Sequence, residues 1–246
     1  MGTNFIKSNM RAALYLIPTV LSESPLDHVL PNGNADIIRS IKIFIVENIR
    51  TARRFLKQVD KGIQIDELQF FELNKHTDPK ILGTYLKPLE NGISIGIISE
   101  AGCPAIADPG ADIVAIAQEK NIKVIPLVGP SSILLSLMAS GFNGQSFAFN
   151  GYLPIDKNER TNILKRFEKK IFSEHQTQIF IETPYRNVQL VDDLCKTLNE
   201  NIKLCIAVDI TSENEVIKTK TIRQWKKNVD SIGSIHKRPA IFLLYK

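Results

Sequence analysis

The sequence predicts an α/β protein: a parallel sheet flanked by helices over about its first half, then a second domain built on a mixed sheet with helices. Three observations predict it. Ile93–Ser99 is apolar and rich in β-branched residues, the pattern of a strand buried on both faces of a parallel sheet. Short apolar runs alternate with amphipathic helical stretches as far as Leu127, which is a βαβ series. Beyond Ser132 the texture changes, and Val216–Ile222 alternates apolar residues with Lys and Thr, the period of a half-exposed antiparallel strand.

Taken in order, Ala12–Ile17 reads as the first core strand. Thr19–Asn34, rich in Ser, Pro and Asn, is too long for a mere connector and marks a functional loop. Ala35–Ile41 predicts a short helix and Ile43–Val46 a buried strand. Ile49–Val59 sets Ala52, Phe55, Leu56 and Val59 on one helical face, with most of its arginines off it. Gln69–Leu73 predicts a strand and Ile81–Leu89 a helix. After the central strand come a helix over Ala111–Glu119, a strand over Val124–Leu127 and a helix over Ile133–Ser140. In the second half Ser146–Phe149, Gln178–Ile181, Lys203–Val208 and Pro239–Tyr245 predict strands. Asn150–Pro154 reads as a turn, and Lys157–Ile171 and Val188–Leu198 as helices. The boundary falls near Val128–Ile133, dividing the chain into 1–128 and 129–246.

Composition narrows the function classes. A chain of 246 residues with 43% apolar content and a mean hydropathy of −0.05 has the material for a soluble core. A net charge of +5 permits a basic patch without demanding one. Cys103, Cys195 and Cys205 form no CxxC pair, and His28, His76, His175 and His236 show no HExxH spacing, so no metal site is expected. Lys7 and Arg11 ahead of the apolar run Ala12–Leu21 look superficially like a short signal peptide, but Pro18 interrupts the run. Ile6 stands where a myristoylation signal wants Ser or Thr, and no apolar span is long enough for a bilayer. A cytoplasmic protein without membrane contact is expected.

The chemistry is expected where strands end. Ser99–Pro104 and Asp108–Gly110 are two tight turns after the central strand, and Gly129-Pro130-Ser131-Ser132 follows the strand at Val124–Leu127. Open α/β sheets bind ligands beyond the carboxyl ends of their strands, and small residues let the backbone approach a ligand closely. The same residues also fit plain turn formation, and Ser131 or Ser132 also fits plain helix capping. Neither GxGxxG nor GxxxxGK[ST] occurs, so neither common nucleotide fingerprint is indicated.

Several segments in a fixed order carry a resemblance. They are Leu14–Thr19, Glu47–Thr51, Ser99–Pro104, Asp108–Gly110, Gly129–Ser132, Gly151–Pro154 and Glu182–Arg186. Through them the chain resembles the tetrapyrrole methylase family, the class III S-adenosylmethionine-dependent methyltransferases, from Leu14 to its C-terminus. The resemblance implies a two-domain α/β fold with S-adenosylmethionine held in the cleft between the domains, in a homodimer. Carried over by position, donor contacts come from Pro18, from Ser99, Ala101, Gly102, Cys103 and Ile106, and from Ser131 and Ser132. Others come from near Glu182, Ala207 and Pro239. Cys103 reads as a small lining residue rather than a nucleophile.

The similarity is greatest to members that methylate a ribose 2′-hydroxyl of ribosomal RNA. For that reaction Glu47, Glu100, Asp108 and Glu182 are candidate proton acceptors by their loop-end positions, and Arg50 or Arg186 could hold a phosphate. Glu47 and Arg50 equally fit a structural ion pair, and Asp108 a turn residue before Pro109. Lys157–Lys170 and Lys218–Lys227 are candidate phosphate-facing surfaces. Departures cluster on the acceptor side: Val20-Leu21-Ser22-Glu23 replaces a Pro-Ile-Gly-Asn run, Asn48 stands where Asp is usual, and Glu100 where Asp is usual. These mark a divergent paralogue. A methyltransferase acting on a tetrapyrrole or other small molecule, or a non-catalytic RNA-binding relative, remain the alternatives at this point.

Overall fold

A computed structural model describes residues 12–228 and 233–246. Ile6, Lys7 and Arg11, on which the targeting expectation rests, lie outside the described residues. No described helix is long and apolar enough to cross a membrane. The chain divides into two units, one running to Val20 and over Ser24–Pro130, the other comprising Leu21–Glu23 and Ser131–Lys246.

The first unit runs β1 (Leu14–Ile17), α1 (Leu26–Val29), α2 (Gly33–Ser40), β2 (Ile43–Val46), α3 (Ile49–Val59), β3 (Gln69–Glu72), α4 (Leu82–Tyr85), α5 (Lys87–Glu90), β4 (Ile95–Ile98), α6 (Gly110–Glu119) and β5 (Val124–Pro126). Its strands form one parallel sheet in the order β3-β2-β4-β1-β5, with Leu14 opposite Ile95 on one side and Val124 on the other. Successive residues of a strand face opposite sides of a sheet. Tyr15, Ile17, Phe44, Val46 and Ile98 therefore pack with Phe55 and Leu56 of α3 on one face. Leu14, Ile43, Ile45, Ile95 and Ile97 pack with Leu82, Leu86 and Ile113 on the other. Burial on both faces is why β2 and β4 read as unbroken apolar runs.

Two stretches differ from expectation. Within Thr19–Asn34 the chain makes the single helical turn of α1, and α2 starts at Gly33, ahead of Ala35. Ile81–Leu89 is not one helix but a 3-10 turn at Pro79–Ile81 followed by α4 and α5. Pro88 has no N–H to donate, so it fits only the first turn of a new helix.

The second unit runs α7 (Ser132–Ser140), β6 (Phe147–Tyr152), α8 (Lys157–Glu174), β7 (Thr177–Ile181), α9 (Asn187–Thr197), β8 (Lys203–Val208), β9 (Val216–Thr221), α10 (Ile222–Lys227) and β10 (Ala240–Tyr245). Its sheet is mixed, in the order β6-β7-β10-β8-β9, with β6 and β7 parallel and the other pairs antiparallel. Leu164, Phe167, Leu190, Leu194 and Trp225 cover one face, and Leu137 of α7 the other. Asn150–Tyr152 continues β6 through a register irregularity where a turn was expected. The alternating stretch ends at Thr221, whose hydroxyl accepts the Gln224 N–H while the Gln224 side chain accepts the Thr221 N–H. That reciprocal capping starts α10, a helix the alternation conceals.

Candidate functional site

In the first unit the carboxyl ends of neighbouring β4, β1 and β5 bring three turns together. The Thr19 N–H donates to the Gly102 carbonyl at 3.0 Å, and its hydroxyl to the Ser99 carbonyl at 3.2 Å. The Ser99 hydroxyl donates to the same Gly102 carbonyl at 2.8 Å. Gly102 holds φ at +71°, a left-handed conformation that suits glycine and turns this carbonyl back over β1. The Cys103 thiol reaches the Pro130 carbonyl at 3.4 Å, so the turns after β4 and β5 touch. Burial pushes that thiol's pKa up, which keeps it protonated and unreactive. Gly129 lies against Pro18, and the Asn34 amide holds the Val128 carbonyl at 2.8 Å. Pro18, Ser99, Gly102 and Cys103 thus occupy one platform of small side chains, with Ala101 exposed within the turn after β4.

The following loop is shaped by strain and one clamp. Ala105 and Ala107 both adopt left-handed φ, +65° and +61°, with Ile106 exposed between them. Asp108 holds the loop: its carboxylate accepts the Ala105 N–H at 2.9 Å and the Gly110 N–H at 2.7 Å. Burial raises its pKa while those two donors oppose the rise.

Glu47, at the end of β2, shares a small recess with Asp108, Leu73 and Gly110. Its pKa is raised by burial first, then by the charges of Asp108 and Glu100, against a lowering hydrogen bond from the Glu100 main chain. Glu100 accepts the Thr51 hydroxyl at 2.6 Å. Asn48 caps α3, its side-chain oxygen accepting the N–H groups of Arg50 at 2.8 Å and Thr51 at 3.4 Å. Arg50 is exposed and makes no ion pair among the described residues, so the Glu47–Arg50 pair does not form. No group of three or more His, Cys, Asp or Glu among the described residues is placed to hold a metal ion. A hollow of about 500 Å³ lies between α1, α2 and α3, lined by Leu26, Leu30, Asn34, Ile38 and Arg39 among others.

The second unit places its own sequence-flagged residues as follows. Ser131 caps α7 through a 3.5 Å bond from Leu134 N–H, and Ser132 is the first helical residue. Glu182, buried at the end of β7, accepts Thr183 N–H at 2.6 Å and the Arg186 guanidinium at 2.5 and 3.0 Å. Each side chain is therefore occupied by the other. Ala207 is buried within β8, opposite Ile241 and Ile217. Pro239 is exposed before β10, its carbonyl accepting Asp209 N–H at 2.9 Å. Several cations of the Lys218–Lys227 stretch are engaged: Lys220 lies over the Trp225 ring, and Arg223 and Lys226 pair with Glu200. Sequence reasoning missed Thr19 as a clamp and Thr51 as the partner of Glu100, since both act through contacts between distant loops.

No protein-family model matches the chain. Ribosomal RNA small subunit methyltransferase I of Buchnera aphidicola subsp. Schizaphis graminum is 32% identical over 227 residues, spanning 91% of this chain and 75% of that protein. The Vibrio cholerae protein of the same name is 28% identical over 218 residues, spanning 89% and 72%. Among solved structures, the methyltransferase CobJ matches at a TM-score of 0.60 and 12% identity, covering 96% of this chain and 94% of that one. Uroporphyrin-III C-methyltransferase from Thermus thermophilus, complexed with S-adenosylhomocysteine, matches at 0.57 and 13% identity, covering 96% and 98%. These structures share the fold with this chain.

Proposed function

The chain belongs to the family of ribosomal RNA small subunit methyltransferase I, and we propose from that premise that it transfers a methyl group from S-adenosylmethionine to a ribose 2′-hydroxyl of ribosomal RNA. The observation that carries this reading is the joining of Thr19, Gly102, Cys103 and Pro130 at the carboxyl ends of three adjacent strands. Its residues fit the donor: small side chains leave main-chain polar atoms within reach, and Gly129, where a Cβ would strike Pro18, lets the turn after β5 close on the end of β1. Pro18, Ser99, Ala101, Gly102, Cys103 and Ile106 would hold it from the first unit. Ser131, Ser132, Glu182, Ala207 and Pro239 of the second are assigned to it by resemblance. Bound there, the donor supplies an electrophilic methyl on a sulfonium, so the protein's main task is alignment.

The acceptor hydroxyl benefits from a base, and Glu47 is the carboxylate we assign. Asp108 is committed to Ala105 and Gly110, Glu100 to Thr51, and Glu182 to Arg186. Glu47 holds one main-chain hydrogen bond and is half-buried, with its proton affinity raised. Arg50, exposed and without an ion pair among the described residues, is assigned to an RNA phosphate. Leu134 and Met138, one turn apart on the exposed face of α7, support the homodimer the resemblance implies. A ribosomal RNA substrate supports the cytoplasmic location expected from the sequence.

The test is the ribose-methylation profile of ribosomal RNA from cells with and without the protein, paired with transfer of tritium from labelled donor by the purified chain. A missing ribose methyl and label in small-subunit RNA are expected. Label confined to a small molecule overturns the RNA acceptor, and bound donor with no label in a whole-cell extract overturns the activity.

A further inference from the structure

We propose that Tyr185, His236 and Lys237 of the second unit form a stacking platform for an unpaired base of single-stranded RNA, with Lys237 serving the adjoining phosphate. The proposal rests on the RNA reading above and adds a recognition surface to it.

Tyr185 is 70% exposed. The His236 ring stands edge-on to it at 6.3 Å between centroids and 80° between planes. The Lys237 ammonium lies 5.7 Å from the Tyr185 centroid. These residues sit on two loops, one leaving β7 and one entering β10, and the loops are stitched together beneath the rings. Lys237 N–H donates to the Pro184 carbonyl at 3.0 Å. The fully buried Asn187 amide holds the carbonyls of Ile235 at 3.1 Å and Arg238 at 2.7 Å. Lys237 itself is kept in a left-handed conformation, φ +61°.

The same stitching decides which charges face outward. Arg186 is spent on Glu182, and Arg238 on Asp209 at 2.7 Å and on the carbonyls of Ser234 and Asn214. Glu182 and Asp209 are thereby paired. Lys237 has no carboxylate partner among the described residues, and its ammonium lies beside the Tyr185 ring. An exposed ring on stitched loops, beside a lysine with no carboxylate partner among the described residues and with Glu182 and Asp209 paired, has the chemistry that binds a splayed nucleotide. The base stacks on the ring, and the ammonium meets the phosphate. Tyr185 and Val188 are the exposed large apolar residues of this segment, far less area than a stable protein interface needs, so RNA is the favoured occupant.

The test is binding of full-length protein to single-stranded oligoribonucleotides from the substrate RNA, by fluorescence anisotropy across a salt series, with methyl transfer run in parallel. Tyr185→Ala is expected to weaken RNA binding about 10-fold or more, as loss of one stacked base does, while Tyr185→Trp restores it. The KM for RNA should rise with kcat little changed, and the affinity for S-adenosylhomocysteine and the melting temperature should stay as in the parent protein. Lys237→Gln should reduce the salt dependence by about one phosphate contact. If the parent protein binds donor but no RNA, the RNA reading itself falls. If it binds RNA and Tyr185→Ala binds equally well, or Tyr185→Trp fails to restore binding, the platform falls while that reading stands.

Discussion

Gly129 packs against Pro18 so closely that a Cβ on residue 129 would stand 2.2 Å from the Pro18 Cγ and 3.1 Å from the Leu30 Cδ2. The proline ring cannot rotate aside, because its ring fixes φ. Any side chain at 129 must therefore lift the turn after β5 away from the end of β1. Gly129→Ala should cost about 1–3 kcal/mol, the usual cost of overpacking. It should also weaken S-adenosylhomocysteine binding beyond what the lowered stability explains. Thermal denaturation and calorimetric titration of the same variant check both. Unchanged donor affinity would remove this platform from the donor site.

The side-chain oxygen of Asn48 caps α3 as a carboxylate would. Asn48→Ala should cost about 1 kcal/mol through the lost cap. Asn48→Asp keeps the cap and gains from a negative charge at the helix N-terminus, offset by the nearby carboxylates of Glu47 and Glu100. Equal urea midpoints for Asn48→Asp and the parent protein, with methyl transfer retained in both, are expected.

Cys103 should tolerate replacement. Its thiol donates weakly to the Pro130 carbonyl, and burial raises its pKa above the usual 9.0. Alkylation by iodoacetamide, followed by mass spectrometry, should stay slow at neutral pH and accelerate only above pH 9.0. Cys103→Ala should retain methyl transfer, whereas a thiol acting as nucleophile would make that variant inactive.

Much of this was legible because two-faced burial writes itself plainly. β2 and β4 are unbroken apolar runs, and the small residues after β4 and β5 mark where the chain must turn tightly. α10 was hidden because the Lys/Thr alternation of β9 runs straight into it, and only the Thr221–Gln224 spacing signals the cap. The spacing of Glu47 and Arg50 invites a helical ion pair. Glu47, however, precedes the Asn48 cap and belongs to the strand end, so the two side chains do not meet on one helix face. Which carboxylate stays available depends on main-chain N–H groups at Ala105, Gly110 and Thr183, whose directions no residue pattern reveals.

Arg186 tests the difference between a scaffold and a phosphate contact. Arg186→Ala would leave the Glu182 carboxylate, 3% exposed, without its guanidinium. Stranding one partner of a buried pair costs about 3–5 kcal/mol, and the partial exposure of Arg186 argues for the lower end. Adding Glu182→Gln should recover much of the loss. Chemical denaturation of the single and double variants checks this. A stable Arg186→Ala with weakened RNA binding would instead make Arg186 a phosphate ligand.

Glu47 should show a trade between stability and activity. Burial and the charges of Asp108 and Glu100 raise its pKa above the ordinary 4.5, so the folded protein holds this proton more tightly than the unfolded chain does. As pH rises past 4.5 the unfolded chain deprotonates first, and folding stability falls until the raised folded value is passed. Above that range the lost stability is a standing cost that Glu47→Gln removes. The variant should unfold at a higher denaturant concentration than the parent at neutral pH, and the gap should close in acid below 4.5. If Glu47 takes the ribose proton, the same substitution should slow single-turnover methyl transfer by about 10²–10⁴-fold while donor affinity holds. The parent rate should then rise with pH through the raised Glu47 value and level off above it, and Glu47→Gln should abolish that rise. A variant that gains stability but keeps the full rate and the same pH profile would move the base to another residue.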